Sequence, residues 1–278
     1  MIDENGKASA PRSKDTLALR IASAMLLAPL AVGASWAGGS AFAGLVAFLS
    51  VLMAYEWARM IERDELTPVF YALAIGAAAA MVLAAAERYA GAYAVCAVSA
   101  LAAGAGSMRG ARRPLWAGLG AFYFIAPSIA LIWLREDVAD GRGLVLLLFA
   151  IVWSADTGGY IGGRLIGGPR ISPAISPAKT WAGAIGGLMA GAFATAIGAP
   201  VFFGEPARAV HLIVGAVLGV ASISGDMAES GIKRRFAIKD MSGFIPGHGG
   251  VLDRLDGMIF VTTAVTLVVY GHRLIAGL

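Results

Sequence analysis

Residues 225–256 read GDMAESGIKRRFAIKDMSGFIPGHGGVLDRLD, a polar stretch set between apolar runs that fill most of the chain. It carries Asp226, Asp240, Asp253 and Asp256, together with Glu229, His248 and the basic side chains Lys233, Arg234, Arg235, Lys239 and Arg254. Asp253 and Asp256 have the i, i+3 spacing that puts both carboxylates on one face of a helix. The turn from Pro246 to Gly250, Pro-Gly-His-Gly-Gly, bends sharply and leaves backbone N–H groups uncovered by side chains. Carboxylates able to hold a divalent cation, beside cations and bare amides able to hold phosphate, describe a site for a nucleoside triphosphate. A basic loop between two membrane helices would account for Lys233, Arg234 and Arg235. It leaves the acids unexplained, because ionised groups at the edges of apolar runs are costly.

The rest of the composition is that of a membrane protein. Of 278 residues 58% are hydrophobic and only 14% charged, with a mean hydropathy of +0.75. Soluble domains carry about 25% charged residues, so a polytopic bundle of helices is expected. The 37 glycines suit close approach of helices in lipid. The single cysteine, Cys96, lies in an apolar run, where it can form no intrachain disulfide and reads as a small buried residue.

Apolar segments recur at 17–35, 41–61, 69–86, 89–107, 115–134, 143–163, 180–203, 209–228 and 256–272. By the criterion of about 20 residues per span this gives an all-α transmembrane bundle of about nine spans. Residues 1–16 read as a polar cytoplasmic tail, and 17–278 as one transmembrane catalytic domain with its motifs in about 150–260. With the N-terminus in the cytoplasm, seventeen of the 22 Lys and Arg side chains fall on the cytoplasmic side and five on the other. That bias follows the positive-inside rule, puts the C-terminus outside, and turns residues 225–256 toward the cytoplasm, where nucleotides are.

Other polar positions are fewer. Asp156, in Trp153-Ser154-Ala155-Asp156-Thr157-Gly158, lies late in the sixth segment, where a lone carboxylate is usually functional or else bonded to a neighbouring helix. The following segment holds two Ser-Pro turns and Ser176-Pro177-Ala178-Lys179-Thr180-Trp181. Lys179 and the hydroxyls there can contact phosphate, or the loop can simply start the next helix. Glu56 sits between Tyr55 and Trp57 near the cytoplasmic end of the second segment, and a paired or snorkelling role fits it as well as a catalytic one. Arg112 and Arg113 read as topogenic charge, and His211 and His272 are assigned nothing. There is no phosphate loop of the GxxxxGK[ST] type, no dinucleotide fingerprint and no cysteine–histidine cluster with zinc spacing.

The run Ser230-x-Ile232-Lys233-Arg234, four residues, Lys239-Asp240, then Ile245-Pro246-x-His248-Gly249-Gly250-x-x-Asp253-Arg254-Leu255-Asp256 resembles the signature of the phosphatidate cytidylyltransferases, or CDP-diglyceride synthetases. The resemblance takes in Gly225-Asp226, Glu229, Ser154 to Gly158 and Ser176 to Trp181, so it covers about the C-terminal half. The N-terminal half is similar only as a run of spans. Ala178 and Ala182 depart from the Lys and Glu found there in many members, leaving Lys179 as the one basic residue of that loop.

The resemblance implies a homodimeric membrane enzyme, its site open to cytoplasm and lipid, joining CTP to phosphatidic acid to give CDP-diacylglycerol and pyrophosphate. No nucleic-acid partner is expected. Mg²⁺ is the implied cofactor, with Mn²⁺ as a substitute and room for a second cation. Asp226, Asp253 and Asp256 are then the expected metal ligands. Lys179, Lys233, Arg234, Lys239 and Arg254 are candidates for the phosphates, Asp240 and His248 for orienting groups or moving a proton, and Asp156 for a second cation or substrate. Ser176, Glu229, Ser230, Gly249 and Gly250 complete the expected substrate site. A CTP-dependent polyprenol or lipid kinase and a cation-coupled transporter, with Asp156 and Asp226 as its ion site, are the alternatives.

Overall fold

In hydrocarbon each backbone N–H and C=O must find its partner within the protein, and a helix does this locally. The computed structural model of the chain describes residues 13–110, 112–245 and 249–276 and is built almost wholly of helices. In chain order these are α1 (Ser13–Ala37), α2 (Gly39–Glu62), α3 (Pro68–Ala85), α4 (Tyr89–Ser107), α5 (Pro114–Gly120), a π turn (Ala121–Ile125) and α6 (Ala126–Glu136). There follow α7 (Gly141–Leu165), strands β1 (Arg170–Ser172) and β2 (Ser176–Thr180), α8 (Trp181–Phe203), α9 (Ala209–Arg235) and α10 (Leu252–Ala276). The elements α5, the π turn and α6 form one rod, and the wider turn lies next to Pro127, which has no N–H to give to the ladder.

Eight of these rods are long and apolar enough to cross a membrane, and α1 adds a shorter apolar stretch, Ala22–Ala37. Each expected apolar segment is matched by one rod. The N-terminal tail lies mostly outside the described residues, and helix begins at Ser13, inside the stretch read as tail. Two differences matter to the site. Helix α9 runs on to Arg235, seven residues past the expected end, and α10 starts at Leu252, four residues early. Polar residues 229–235 therefore stay helical, which places Glu229 and Lys233 one turn apart on the same face.

The other difference is the Ser-Pro segment, expected as a loop in an all-α chain. It is an antiparallel hairpin in which Arg170 pairs with Thr180 and Ser172 with Ser176. The turn between them is closed by Ile175 N–H donating to Ser172 O at 3.2 Å. Thr180 ends the hairpin and caps α8, its Oγ1 accepting from Gly183 N–H at 3.1 Å.

Helices α2 to α6 form one group and α7 to α10 another, with α10 packed against both α6 and α7. In the first group Trp57 is fully buried, stacks on Tyr123 at 5.1 Å and donates its indole N–H to Trp116 O at 2.9 Å. In the second, α7, α8 and α9 meet through small residues, because lipid supplies no hydrophobic drive and close backbone contact must supply the attraction. A Cβ on Gly162 of α7 would stand 2.7 Å from the carbonyl oxygen of Ala182 on α8. Gly162→Leu is therefore expected to prise these helices apart. Overpacking costs about 1–3 kcal/mol or more, so the melting temperature of the detergent-solubilised protein should fall by at least about 4 °C. An unchanged melting temperature would show that the interface is looser than described.

Candidate active site

Where α7, α9, α10 and the hairpin meet, the structure has a cleft of about 380 Å³. Helix α7 contributes Asp156, β2 contributes Lys179, α9 contributes Asp226, Glu229 and Lys233, the following loop contributes Asp240, and α10 contributes Asp253, Arg254 and Asp256. Nine residues singled out in the sequence are thus brought together from five segments.

Their pairing separates them into two sets. In the first, Lys233 Nζ donates to Glu229 Oε2 at 3.0 Å and to Asp253 Oδ1 at 2.6 Å. The other oxygen of Asp253 accepts from Met241 N–H at 3.0 Å and from Gly250 N–H at 2.7 Å. Both carboxylate oxygens of Asp253 are thus engaged by protein donors, and the residue is only 9% exposed. Gly249 belongs to the same knot. Its φ of +86° suits glycine, and a Cβ there would lie 2.9 Å from Asp253 Oδ2. This set is a buried scaffold.

The second set lines the same cleft. Lys179 pairs with Asp226, and both side chains remain partly exposed, so the pair is weakly held and its cation can be exchanged for another partner. Asp256 Oδ1 accepts from the N–H of Gly257 at 2.7 Å. Asp156, Asp226 and Asp256 stand close enough to repel one another, and Arg254 lies near Asp156. Six acids against three bases line the cleft.

The remaining expected site residues lie outside it. Arg234 is exposed and donates from Nε to Ile175 O at 3.2 Å, tying α9 to the hairpin. Lys239 is exposed on the loop, and neither Ser176 nor Ser230 lines the cleft. Gly250 is packed against Glu56. His248 lies outside the described residues, as do Pro246 and Gly247.

The expected divalent cation needs oxygen donors gathered at one place. Among the described residues no three acids, histidines or cysteines stand together closely enough to hold an ion, and Asp253 is engaged elsewhere, so the expected trio is not assembled here. A smaller protein share does fit. Mg²⁺ takes oxygen ligands and commonly uses one or two carboxylates with substrate phosphates and water. Asp226 and Asp256, in a cleft with excess acid, match that chemistry. The wall also holds the buried carboxylate of Glu229, which lies against Asp256.

Glu56 was not placed in the site by its sequence context. It is 0% exposed and accepts from Val251 N–H and Leu252 N–H, each at 2.8 Å, and from Ser242 Oγ. Only its charge within an apolar run hinted at such a partner.

A helical membrane bundle that gathers acids and bases into one cleft at the ends of its helices is the class that fold and site define. Residues 18–271 match the Cytidylyltransferase family, and the chain belongs to it. It is 34% identical over 271 residues to a phosphatidate cytidylyltransferase of Brucella suis biovar 1 (strain 1330), covering 92% of this chain and 93% of that protein. The same identity and coverage hold for a phosphatidate cytidylyltransferase of Brucella abortus biovar 1 (strain 9-941). A phosphatidate cytidylyltransferase of Staphylococcus saprophyticus is 37% identical over 134 residues, 48% of this chain and 52% of that protein.

The two sets predict different phenotypes. Asp253→Asn leaves the buried Lys233 short of a partner, a loss of about 3–5 kcal/mol, and should sharply lower the melting temperature. Asp256→Asn should leave melting nearly unchanged while lowering kcat about a hundredfold, as for loss of a main electrostatic group. Melting and transferase assays on the same purified variants check this; equal destabilisation of both would merge the two sets.

Proposed function

We propose that the chain transfers the cytidylyl group of CTP to phosphatidic acid, giving CDP-diacylglycerol and pyrophosphate. One observation carries this reading beside the family membership: Asp156, Lys179, Asp226, Arg254 and Asp256 converge on one cleft among membrane helices. There a water-soluble triphosphate and the headgroup of a lipid can meet.

In the reaction an oxygen of the lipid phosphate attacks the α-phosphorus of CTP. The bond from that phosphorus to the oxygen bridging to the β-phosphate breaks, and pyrophosphate leaves. Nucleophile and target are both anionic, so the protein's task is to align them and to offset charge. Lys179 and Arg254 are the cleft cations assigned to phosphate oxygens. Lys179 is paired with Asp226, which holds its ammonium at the cleft wall. Lys233 is assigned to the scaffold, because Glu229 and Asp253 both engage it. Asp226 and Asp256 would hold Mg²⁺ or Mn²⁺, with Asp156 available to a second cation or to substrate. Such an ion would supply positive charge to offset that of the phosphates.

Supplying membranes with phosphatidic acid and either α-labelled or γ-labelled CTP tests the reading. Label should enter lipid from the α position only. Entry from γ only would mark a lipid kinase, and entry from neither would remove the transfer altogether.

The cleft is further assigned to the cytoplasmic face of the inner membrane, supported by the bias of Lys and Arg and by the location of CTP. A tag at the N-terminus should then be cytoplasmic and one at Leu278 outside; protease access to both from one side would overturn this. A homodimer is part of the same proposal. The exposed stripe Ile185, Met189, Phe193 and Ile197 on α8 is the apolar surface assigned to contact with a second copy.

A further inference from the structure

We infer that Glu56, on α2, is a positioning residue for the reaction, fixing the start of α10 and the loop before it from outside the motif-bearing half. The inference rests on the cytidylyl-transfer reading above. The first N–H groups of any helix have no partner within it and carry its positive end. Helix α10 begins at Leu252, and its entry residue Val251 accepts from the N–H groups of Arg254 and Leu255, both at 3.1 Å. The N–H groups of Val251 and Leu252 are taken by Glu56, at 2.8 Å each. The preceding N–H, of Gly250, is taken by Asp253 at 2.7 Å. Three successive amides are therefore clamped by two carboxylates, one from the same helix and one from 195 residues earlier in the chain.

The clamp continues into the loop, since Ser242 Oγ donates to Glu56 Oε1. It is also closely fitted, because a Cβ on Gly250 would lie 2.9 Å from Glu56 Cδ and 2.9 Å from Met241 Cβ. The negative charge of Glu56, 0% exposed, is matched by three donors and the positive end of α10, which is what allows a carboxylate at this depth. Asp256 follows one turn into α10, so its place in the cleft depends on where that helix starts. Lys179, Asp156 and Asp226 stand on other elements that Glu56 does not bond.

Glu56→Gln tests this, because its amide NH₂ cannot accept from a backbone N–H. The expected result is a fall in kcat of about a hundredfold, the size associated with displacement of a catalytic group by about 1 Å, with KM for CTP within about threefold of wild type. Hydrogen exchange should quicken in residues 241–255 and stay unchanged in α7 and α8. Wild-type kcat in a folded Glu56→Gln protein would overturn the inference, and so would exchange that rises equally in every helix. If that variant does not fold, Ser242→Ala carries the test: faster exchange confined to the loop, with kcat lowered at least about threefold, is expected, and unchanged kcat and exchange would refute it. Failure of wild-type protein to label lipid from α-labelled CTP would instead count against the reaction, while the exchange measurements would still report on the clamp.

Discussion

A charge that sits where helices cross lipid must be met by an opposite charge or by well-placed donors, since the cost of leaving it alone exceeds what one helix contact returns. Lys233 meets this constraint by standing between Glu229 and Asp253. Asp253 meets it again through the amides of Met241 and Gly250, and Glu56 through those of Val251 and Leu252. These bonds join α2, α9, α10 and the loop between the last two. Lys233, Asp253 and Glu56 are thus met by partners within the protein, and Asp156, Asp226 and Asp256 leave an excess of negative charge in the cleft.

The same division explains why the site lies where four helix ends come together. Close contact through glycine lets α7, α8 and α9 bring Asp156 and Asp226 toward one another, and the hairpin before α8 brings Lys179 to Asp226. Packing, local capping by Thr180 and electrostatics all place the same groups in the same cleft. A triphosphate entering it meets the cationic side chains of Lys179 and Arg254 among an excess of acids.

Much of this was legible in the sequence. Among the described residues eight of the nine apolar segments map onto rods long and apolar enough to cross a membrane, and the first onto α1, whose apolar stretch is shorter. The residues of the 225–256 stretch could be gathered because α9 and α10 follow one another in the chain and pack together. What escaped was decided by tertiary contact. Sequence spacing gives Asp253 and Asp256 one helix face, yet only packing shows that Asp253 is engaged by Lys233 and two amides while Asp256 stands beside Asp226 and Glu229. The hairpin was hidden because its prolines read as turns, and Pro177 sits within a strand that pairs on one side only. Glu56 lies 195 residues before the amide it holds, and no local pattern reports such a partner.

We propose that the cleft is an acid-rich nucleotide site whose charge calls for a companion cation. Calorimetric titration of CTP into the purified protein tests it directly, once with Mg²⁺ and once in EDTA. Binding at least about tenfold tighter with Mg²⁺, a difference of about 1.4 kcal/mol, is the expected result. Equal affinity under both conditions would contradict it, because six acids facing three bases would then hold a triphosphate unaided.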